Sequence, residues 1–394
     1  MFAVPAVVHS IHFPVSARNF VMPMVEWLNR HGIDAELWFE NQVKHQAVIR
    51  QITVPSSHVD SDLTFDPLAF NRRLAAYRRE LRKAPPRILH AHQARASLIP
   101  LLAGYLEKVP ARVYHNHGLA YLGYRGLMRR LLRTLEQINI RLATHVLLVS
   151  HSNLAVARFD GLLRGGKGTV LANGSAVGID LQEFSGERFN EVAQKAARQK
   201  LDLPGNRFGL AYVGRPVKRK GFHFLLKAWK STGLGLKGNV LLVAGCTQEE
   251  CAGALDHAVE GVKGLGYLTD LKDFYAASDA VVLPSEHEGL PYSLLEGAAA
   301  GRPLIGTDIP GIRCAIQHNQ TGLLVQVGDE LALSKAIQLL ASDAALRERL
   351  GRNARARVER EFDRNIVLRS LLDFYQAELL PERCGSSAEP RRNS

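Results

Sequence analysis

Short apolar runs alternate with longer segments whose apolar residues recur every three or four positions, from one end of the chain to the other. The short runs read as strands and the recurring segments as amphipathic helices, so the pattern predicts α/β layers built on parallel sheets. In the first half, strands are expected at 3–8, 35–39, 87–91, 112–115, 145–149 and 169–172, with helices at 19–31, 67–83, 97–108 and 125–143. A polar stretch after Asn173 leads through a linker or lead-in helix to Pro204-Gly205-Asn206, and the pattern then restarts. Strands are expected again at 209–213, 240–244, 262–265, 280–283, 304–306 and 323–325. Two such units predict two doubly wound domains facing one another across a cleft. Residues 367–379 read as a helix that packs back on the first domain, and 381–394 as a disordered tail. No short-period repeat is present, so the doubling is architectural.

Length agrees: 394 residues exceed one ordinary core. The 46% hydrophobic and 22% charged fractions are those of a globular chain. No apolar run approaches the ~20 residues that span a bilayer, and Met1-Phe2-Ala3-Val4-Pro5 lacks the charged start of a signal peptide. Cys246, Cys251, Cys314 and Cys384 show neither disulfide nor zinc spacing, which points to a reducing cytosol. Charge is uneven. Residues 1–180 carry 22 Lys and Arg against 12 Asp and Glu, whereas the remainder carries 28 against 26. The basic first half suits an anionic partner: a membrane surface, a phosphorylated lipid or nucleic acid.

The most informative segment is Pro284-Ser-Glu-His-Glu288-Gly-Leu-Pro-Tyr-Ser-Leu-Leu-Glu296-Gly-Ala-Ala-Ala-Gly301. It places Glu288 in a strand-to-helix turn and Glu296 about two helical turns along, with free N–H groups of the helix start between them. Hydroxyl-binding carboxylates beside an anion-binding helix end suit a sugar joined to a diphosphate. Gly214-Arg-Pro-Val-Lys-Arg-Lys220-Gly221 follows the first strand of the second half. Its glycines let a ligand approach the backbone, while Arg215 forks onto phosphate and Lys220 supplies a point charge. On its own this run reads equally as a solvated basic turn; beside the Glu288/Glu296 element it reads as half of a site at the carboxyl ends of one sheet.

These residues carry a resemblance. Gly-Arg-x4-Lys-Gly at 214–221, Glu-x7-Glu at 288–296, Asp308-Ile-Pro-Gly311 and Asn319-x-Thr-Gly-Leu-Leu-Val325 resemble the retaining GT-B glycosyltransferases of family 4. Leu89-His-Ala-His92, His117-Gly118, Val149-Ser150 and Asn173-Gly-Ser175 leading to Gly178-Ile-Asp180 extend it. The last run is similar to the branch that builds capsule, exopolysaccharide and O-antigen saccharides on a lipid carrier. The resemblance implies two Rossmann-like domains, with an acceptor-binding one at 1–185 and a nucleotide-sugar-binding one at 186–365, and 366–380 returning to the first. It implies that Arg215 and Lys220 hold the donor diphosphate, with Gly214 in the same loop. Glu296 would take the ribose hydroxyls and Glu288 those of the transferred sugar, with the Gly289 and Leu290 amides near the phosphates. His117 would approach from the opposite domain, and backbone near Tyr267 and Leu268 would meet the base. Same-face attack by the acceptor is implied, with Glu288 a binder and not a nucleophile. Tyr292 stands where the family often has Asn or a small residue, which points to altered donor selection. The first strand leads into His12-Phe-Pro-Val-Ser16 instead of a glycine-rich turn.

The implied partners are a nucleotide-sugar donor, a UDP-sugar in preference to a GDP-sugar, and a lipid-linked saccharide acceptor. Arg125, Arg129, Arg130 and Arg133 lie on one helical segment with Leu127, Met128, Leu131, Leu132, Leu135 and Ile138. Either its leucines pack on the sheet, or it docks on anionic lipid near the acceptor, the reading preferred here. Arg72, Arg73, Arg78, Arg79, Arg82 and Lys83 add a second basic run. A peripheral position on the cytoplasmic face of the inner membrane follows. Nucleic acid is not an expected partner, because aromatics do not interleave with the basic residues. A nucleotide-sugar epimerase on the same fold is the enzymatic alternative, and a basic nucleic-acid-binding protein the non-enzymatic one.

No cofactor or metal is expected. His90-x-His92 and His115-x-His117 suggest ligands, but they are read as pointing to opposite faces of their strands, with no Asp, Glu or Cys to complete a set. Asp60-Ser-Asp62 is the sole Asp-x-Asp. Gly161-x4-Gly-Lys167 is followed by Gly168 where a phosphate loop needs Ser or Thr, and it precedes a strand. No Gly-x-Gly-x-x-Gly follows the first strand, against a dinucleotide oxidoreductase.

Overall fold

The computed structural model describes residues 5–12, 16–39, 49–51, 66–184, 189–203, 205–255 and 258–379. The Asp60/Asp62 pair, Cys384 and the 381–394 tail lie outside them, as does part of the 12–16 loop.

The first lobe holds a seven-stranded sheet in the order β3-β2-β1-β4-β5-β6-β7. Its strands are β1 (Val7–Ser10), β2 (Ala35–Phe39), β3 (Ile49–Gln51), β4 (Ile88–His92), β5 (Ala111–Asn116), β6 (His145–Leu148) and β7 (Gly168–Thr169). All neighbours are parallel. Helices α1 (Met22–Arg30), α2 (Pro67–Lys83), α3 (Ala94–Leu106), α4 (Gly126–Leu142) and α5 (His151–Phe159) alternate with them. The apolar runs of β1, β4 and β6 are buried on both faces, as a parallel sheet covered by helices requires.

The second lobe holds six parallel strands in the order β10-β9-β8-β11-β12-β13. They are β8 (Gly209–Val213), β9 (Val240–Ala244), β10 (Val262–Gly264), β11 (Ala280–Leu283), β12 (Leu304–Thr307) and β13 (Gly322–Val325). Helix α6 (Glu191–Lys200) leads into this sheet, and α7 (Phe222–Thr232), α8 (Gln248–Gly253), α9 (Lys272–Ala277), α10 (Tyr292–Ala299), α11 (Ile312–Ala315), α12 (Glu330–Ser342), α13 (Ala344–Glu361) and α14 (Arg364–Phe374) follow.

Local signals set several boundaries. Pro67 opens α2, with the Asp66 side chain accepting from Leu68 N at 2.8 Å. Asp329 and Asp343 cap α12 and α13 in the same way. The first strand, expected at 3–8, runs over Val7–Ser10, and two further differences have physical reasons. β7 stops at Thr169, short of Ala172, because Ala172 turns the chain at φ 46°. β3 was not foreseen, since three edge residues, one apolar, carry too little periodicity.

Helix α14 and the residue that follows it lie against the first lobe. Arg369 stacks over Trp27, the Phe374 ring meets His145 edge-on at 5.7 Å, and Tyr375 OH is hydrogen-bonded to His90 Nδ1. Among the described residues no helix is long and apolar enough to cross a membrane.

Candidate active site

Strand order reverses between β8 and β11 in the second sheet and between β1 and β4 in the first. Ligands of open parallel sheets bind at the carboxyl ends of strands flanking such a reversal. The 214–221 loop leaves β8 and the 284–291 loop leaves β11, so both flank the same crevice.

Gly221 shows why the two loops need that composition. Its φ of +71° and the Pro284 carbonyl, 1.9 Å from where a Cβ would stand, admit no side chain. With the loops pressed together, Lys220 Nζ donates to Glu288 Oε1 at 2.6 Å. The side chains are 27% and 11% exposed, so water screens this pair weakly. Arg215 stands apart from it. Its side chain is exposed, with no partner among the described residues, and only its carbonyl is engaged, by Val217 N at 2.8 Å and Tyr212 OH at 3.1 Å. The Gly214 N–H is tied to Ala244 O at 2.9 Å.

Glu296 lies in the second turn of α10, which starts at Tyr292, while Glu288 sits in the turn before it. Its carboxyl accepts from Tyr275 OH at 2.9 Å, and burial pushes it up to about 7 despite that donor. Helix α10 starts without a side-chain cap, and the Gly289 and Leu290 N–H groups have no acceptor among the described residues. Tyr267 is exposed beyond β10, and the preceding Gly266 is pinned to the β9 exit through Gly245 N and Cys246 O. Leu268 beside it is half-buried.

The first lobe closes on this crevice. A Cβ at Gly289 would stand 1.9 Å from the His117 carbonyl oxygen. The Gly289 carbonyl accepts from Ser150 Oγ at 3.0 Å and Asn153 Nδ2 at 2.7 Å, and Gly311 N donates to Ser152 Oγ at 2.7 Å. Tyr292 joins the lobes too: its OH accepts from Val177 N at 2.9 Å and pairs with Ser175 Oγ at 2.6 Å. Its ring packs edge-on against Phe20. The hydroxyl expected to alter donor selection is thus held by the 173–180 crossover.

Lys220, Glu288, Gly289 and His117 are therefore brought together, with Glu296 one turn deeper and Arg215 at the rim. Sequence reasoning missed Tyr275 and Asn153. Tyr275 carried no signal, whereas Ser150-x-x-Asn153 followed an apolar strand as a helix cap does. It also missed Glu136, a buried carboxyl pushed up to about 7 by burial. Glu136 accepts from Tyr114 OH at 2.6 Å and Asn116 Nδ2 at 3.0 Å, while Asn116 Oδ1 accepts from Gly118 N. It thereby braces the turn that carries His117.

The histidine reading needs correction. Positions i and i+2 of a strand share a face, and His90 and His92 stack with ring centroids 4.3 Å apart. His9, His90 and His92 form one group, and His92, His115 and His117 another, each with ring nitrogens within 4.8 Å. These groups have the donor type for a divalent transition metal, though His92 Nδ1 and His117 Nε2 already stand at hydrogen-bond distance, 3.2 Å.

Helix α4 also differs from the simpler expectation. Its buried stripe is Leu132, Glu136, Asn139 and Ile140. Leu127 is 72% and Leu131 54% exposed, beside exposed Arg125, Arg129 and Arg130. Arg133 does not join them: its guanidinium donates to the Asp160 carbonyl. In the second basic run Arg78 and Arg82 pair with Glu107, and Arg79 and Lys83 with Glu80, two carboxylates against four of its six cations.

Two doubly wound lobes closing over paired switch-point loops define a GT-B enzyme. The solved structure of Anabaena HepE in complex with UDP-glucose shares this fold, with a TM-score of 0.74 at 17% identity over 93% of this chain and 98% of that one. Residues 193–357 match the family described as glycosyl transferases group 1, and residues 17–174 match the glycosyl transferase 4-like domain. The chain carries both of these glycosyltransferase domains, which together span most of it, and is a glycosyltransferase. It is 29% identical to the capsular polysaccharide biosynthesis glycosyltransferase CapM of Staphylococcus aureus, over 75% of this chain and 78% of that protein. It is 28% identical to the N,N'-diacetylbacillosaminyl-diphospho-undecaprenol alpha-1,3-N-acetylgalactosaminyltransferase of Campylobacter jejuni, over 70% and 73%.

Proposed function

We propose that this glycosyltransferase moves a hexosyl group from a UDP-sugar to a lipid-linked saccharide, with retention, during assembly of a cell-surface polysaccharide or lipopolysaccharide. The Lys220–Glu288 contact beneath His117 and Gly289 carries the reading, because it sets a cation and a hydroxyl-binding carboxylate side by side where the lobes meet. The donor class draws support from the UDP-glucose held by the Anabaena neighbour, and the acceptor class from the diphospho-undecaprenol in the Campylobacter relative's name.

In this mechanism the anomeric C–O bond to the diphosphate breaks as the acceptor oxygen attacks the same face. The acceptor proton passes to the departing phosphate. Arg215, Lys220 and the Gly289 and Leu290 N–H groups stabilise the negative charge that develops there, without a metal ion in the scheme. Glu296 binds the ribose hydroxyls and Glu288, oriented by Lys220, binds those of the sugar. The exposed leucines and arginines of α4 hold the enzyme on the anionic face of a membrane, where the acceptor resides.

A thermal-shift panel of UDP- and GDP-sugars, followed by transfer to lipid extract with the product linkage read by NMR, tests the proposal. Stabilisation by UDP-sugars and an α-linked lipid product from an α-linked donor are expected. Free epimerised sugar formed without acceptor would replace the transferase mechanism by epimerisation.

A further inference from the structure

His9 Nδ1 lies 3.0 Å from His92 Nε2, and His92 Nδ1 lies 3.2 Å from His117 Nε2. The three imidazoles thus run from the floor of the first lobe, on β1 and β4, to the crevice. Every internal ring nitrogen of the chain is matched to another. The outer nitrogens differ: His9 Nε2 is buried with no partner, whereas His117 Nδ1 is not among the buried, unpartnered atoms and His117 is only half-buried.

The rings stay neutral because burial lowers His9 to about 3 and His117 to about 4, and lowers His92 well below its usual value with its histidine neighbours adding repulsion. The titratable groups packed around the chain are His90 on β4 with His92, His115 on β5 and Tyr375 from the C-terminal segment. Across the crevice, Phe20 separates His117 from Tyr292.

A neutral imidazole carries one N–H, so the chain has two self-consistent settings. In one, each His donates toward the crevice and His9 ends in a bare lone pair. In the other, each donates inward and His9 Nε2–H is buried without an acceptor. Orphaned buried N–H groups are the rarer and costlier defect, which selects the first setting.

We propose that His9 and His92 fix the tautomer of His117, so that His117 presents Nδ1–H to the crevice as a hydrogen-bond donor for a hydroxyl oxygen of the transferred sugar. His92 is the positioning residue. The assignment deepens the proposed sugar transfer and rests on it for the identity of the ligand group.

The test uses the full chain with 15N-labelled histidine. His117 is expected as the Nδ1–H tautomer in the wild type and in His92→Asn, which keeps a donor near the former Nδ1. In His92→Phe, which keeps a ring and loses both nitrogens, the tautomer becomes mixed. The Phe variant should lose kcat by about tenfold, the scale of one hydrogen bond, with donor KM nearly unchanged. The Asn variant should recover most of that loss. An Nε2–H tautomer in the wild type overturns the assignment, as does a Phe variant with wild-type kcat. One equivalent of transition metal that leaves with chelator and shifts the His92 and His117 resonances also overturns it. If no nucleotide sugar supports transfer by the wild type, the sugar-transfer reading fails, and the tautomer spectrum alone decides the His92 relationship.

Discussion

Lys220 and Glu288, 68 positions apart in the chain, meet at 2.6 Å between Nζ and Oε1. Each holds the other in place before any ligand arrives, which is the preorganisation that a charge-separating reaction requires. Lys220→Ala removes the cation and leaves Glu288 poorly hydrated and unpaired. We expect it to lower kcat/KM by about 10²–10³, the scale for one preorganised donor, and to weaken UDP binding. Glu288→Gln should keep UDP binding near wild type while turnover and sugar discrimination fall. Calorimetry with UDP beside steady-state kinetics separates the two, and identical defects in both variants would contradict these roles.

Glu296 makes donor binding depend on pH. Its carboxyl is raised from 4.5 to about 7, so the fold favours the protonated form. That stabilising contribution is complete below about pH 4.5 and disappears as pH rises through 7. Ribose hydroxyls donate to the ionised carboxylate, so binding runs the other way. UDP affinity should rise about tenfold from pH 6 to 8, with proton release, as linkage through one group of this pKa requires. Glu136 titrates in the same range. Glu296→Gln is therefore the control, and a pH dependence that survives it would assign the effect elsewhere.

Gly289→Ala probes lobe closure. The backbone tolerates a side chain there, but the added Cβ would meet the His117 carbonyl at 1.9 Å, so the lobes must part. Misplacing reacting groups by about 1 Å costs roughly 10²-fold, and transfer should fall by that order. UDP binding, confined to the second lobe, should persist, and small-angle scattering should show a wider particle. Wild-type turnover would mean that the closed arrangement is not the reacting one.

Helix α4 should bind vesicles containing anionic lipid through Leu127 and Leu131, with Arg125, Arg129 and Arg130 at the headgroups. Burying each leucine is worth about 1.5–3 kcal/mol and each surface arginine about 1 kcal/mol. Leu127→Ser with Leu131→Ser should release the protein in a sedimentation assay, and high salt should weaken wild-type binding. Arg133→Ala should leave vesicle binding intact and lower the melting temperature, because that guanidinium holds the Asp160 carbonyl. Equal loss for all arginines would favour a diffuse charge effect.

The second half was the more legible in the sequence because its site is local. The Gly214–Gly221 loop follows β8 and the Glu288 turn follows β11, and each shows its glycines, charges and flanking apolar strand within a few residues. The first half was less so. The alternating histidines of β4 and β5 were visible, but their shared face was misjudged, and His9 joins them through strand pairing that no local pattern reveals. Tyr275 acts on Glu296 from another element, again without a local sign, and the cap-like Ser150-x-x-Asn153 gave no sign that Asn153 reaches Gly289.

The chain itself determined the two sets of parallel strands, the lobe division and the residue types of both loops, since periodicity and turn chemistry act over a handful of neighbours. Tertiary structure alone decided that Lys220 would meet Glu288, that Arg215 would stay at the rim, and that Tyr292 would clasp the crossover. It also decided which leucines of α4 face outward. Those outcomes depend on how sheets twist and lobes close over distances of many residues, and close packing settles them only when every element is in place.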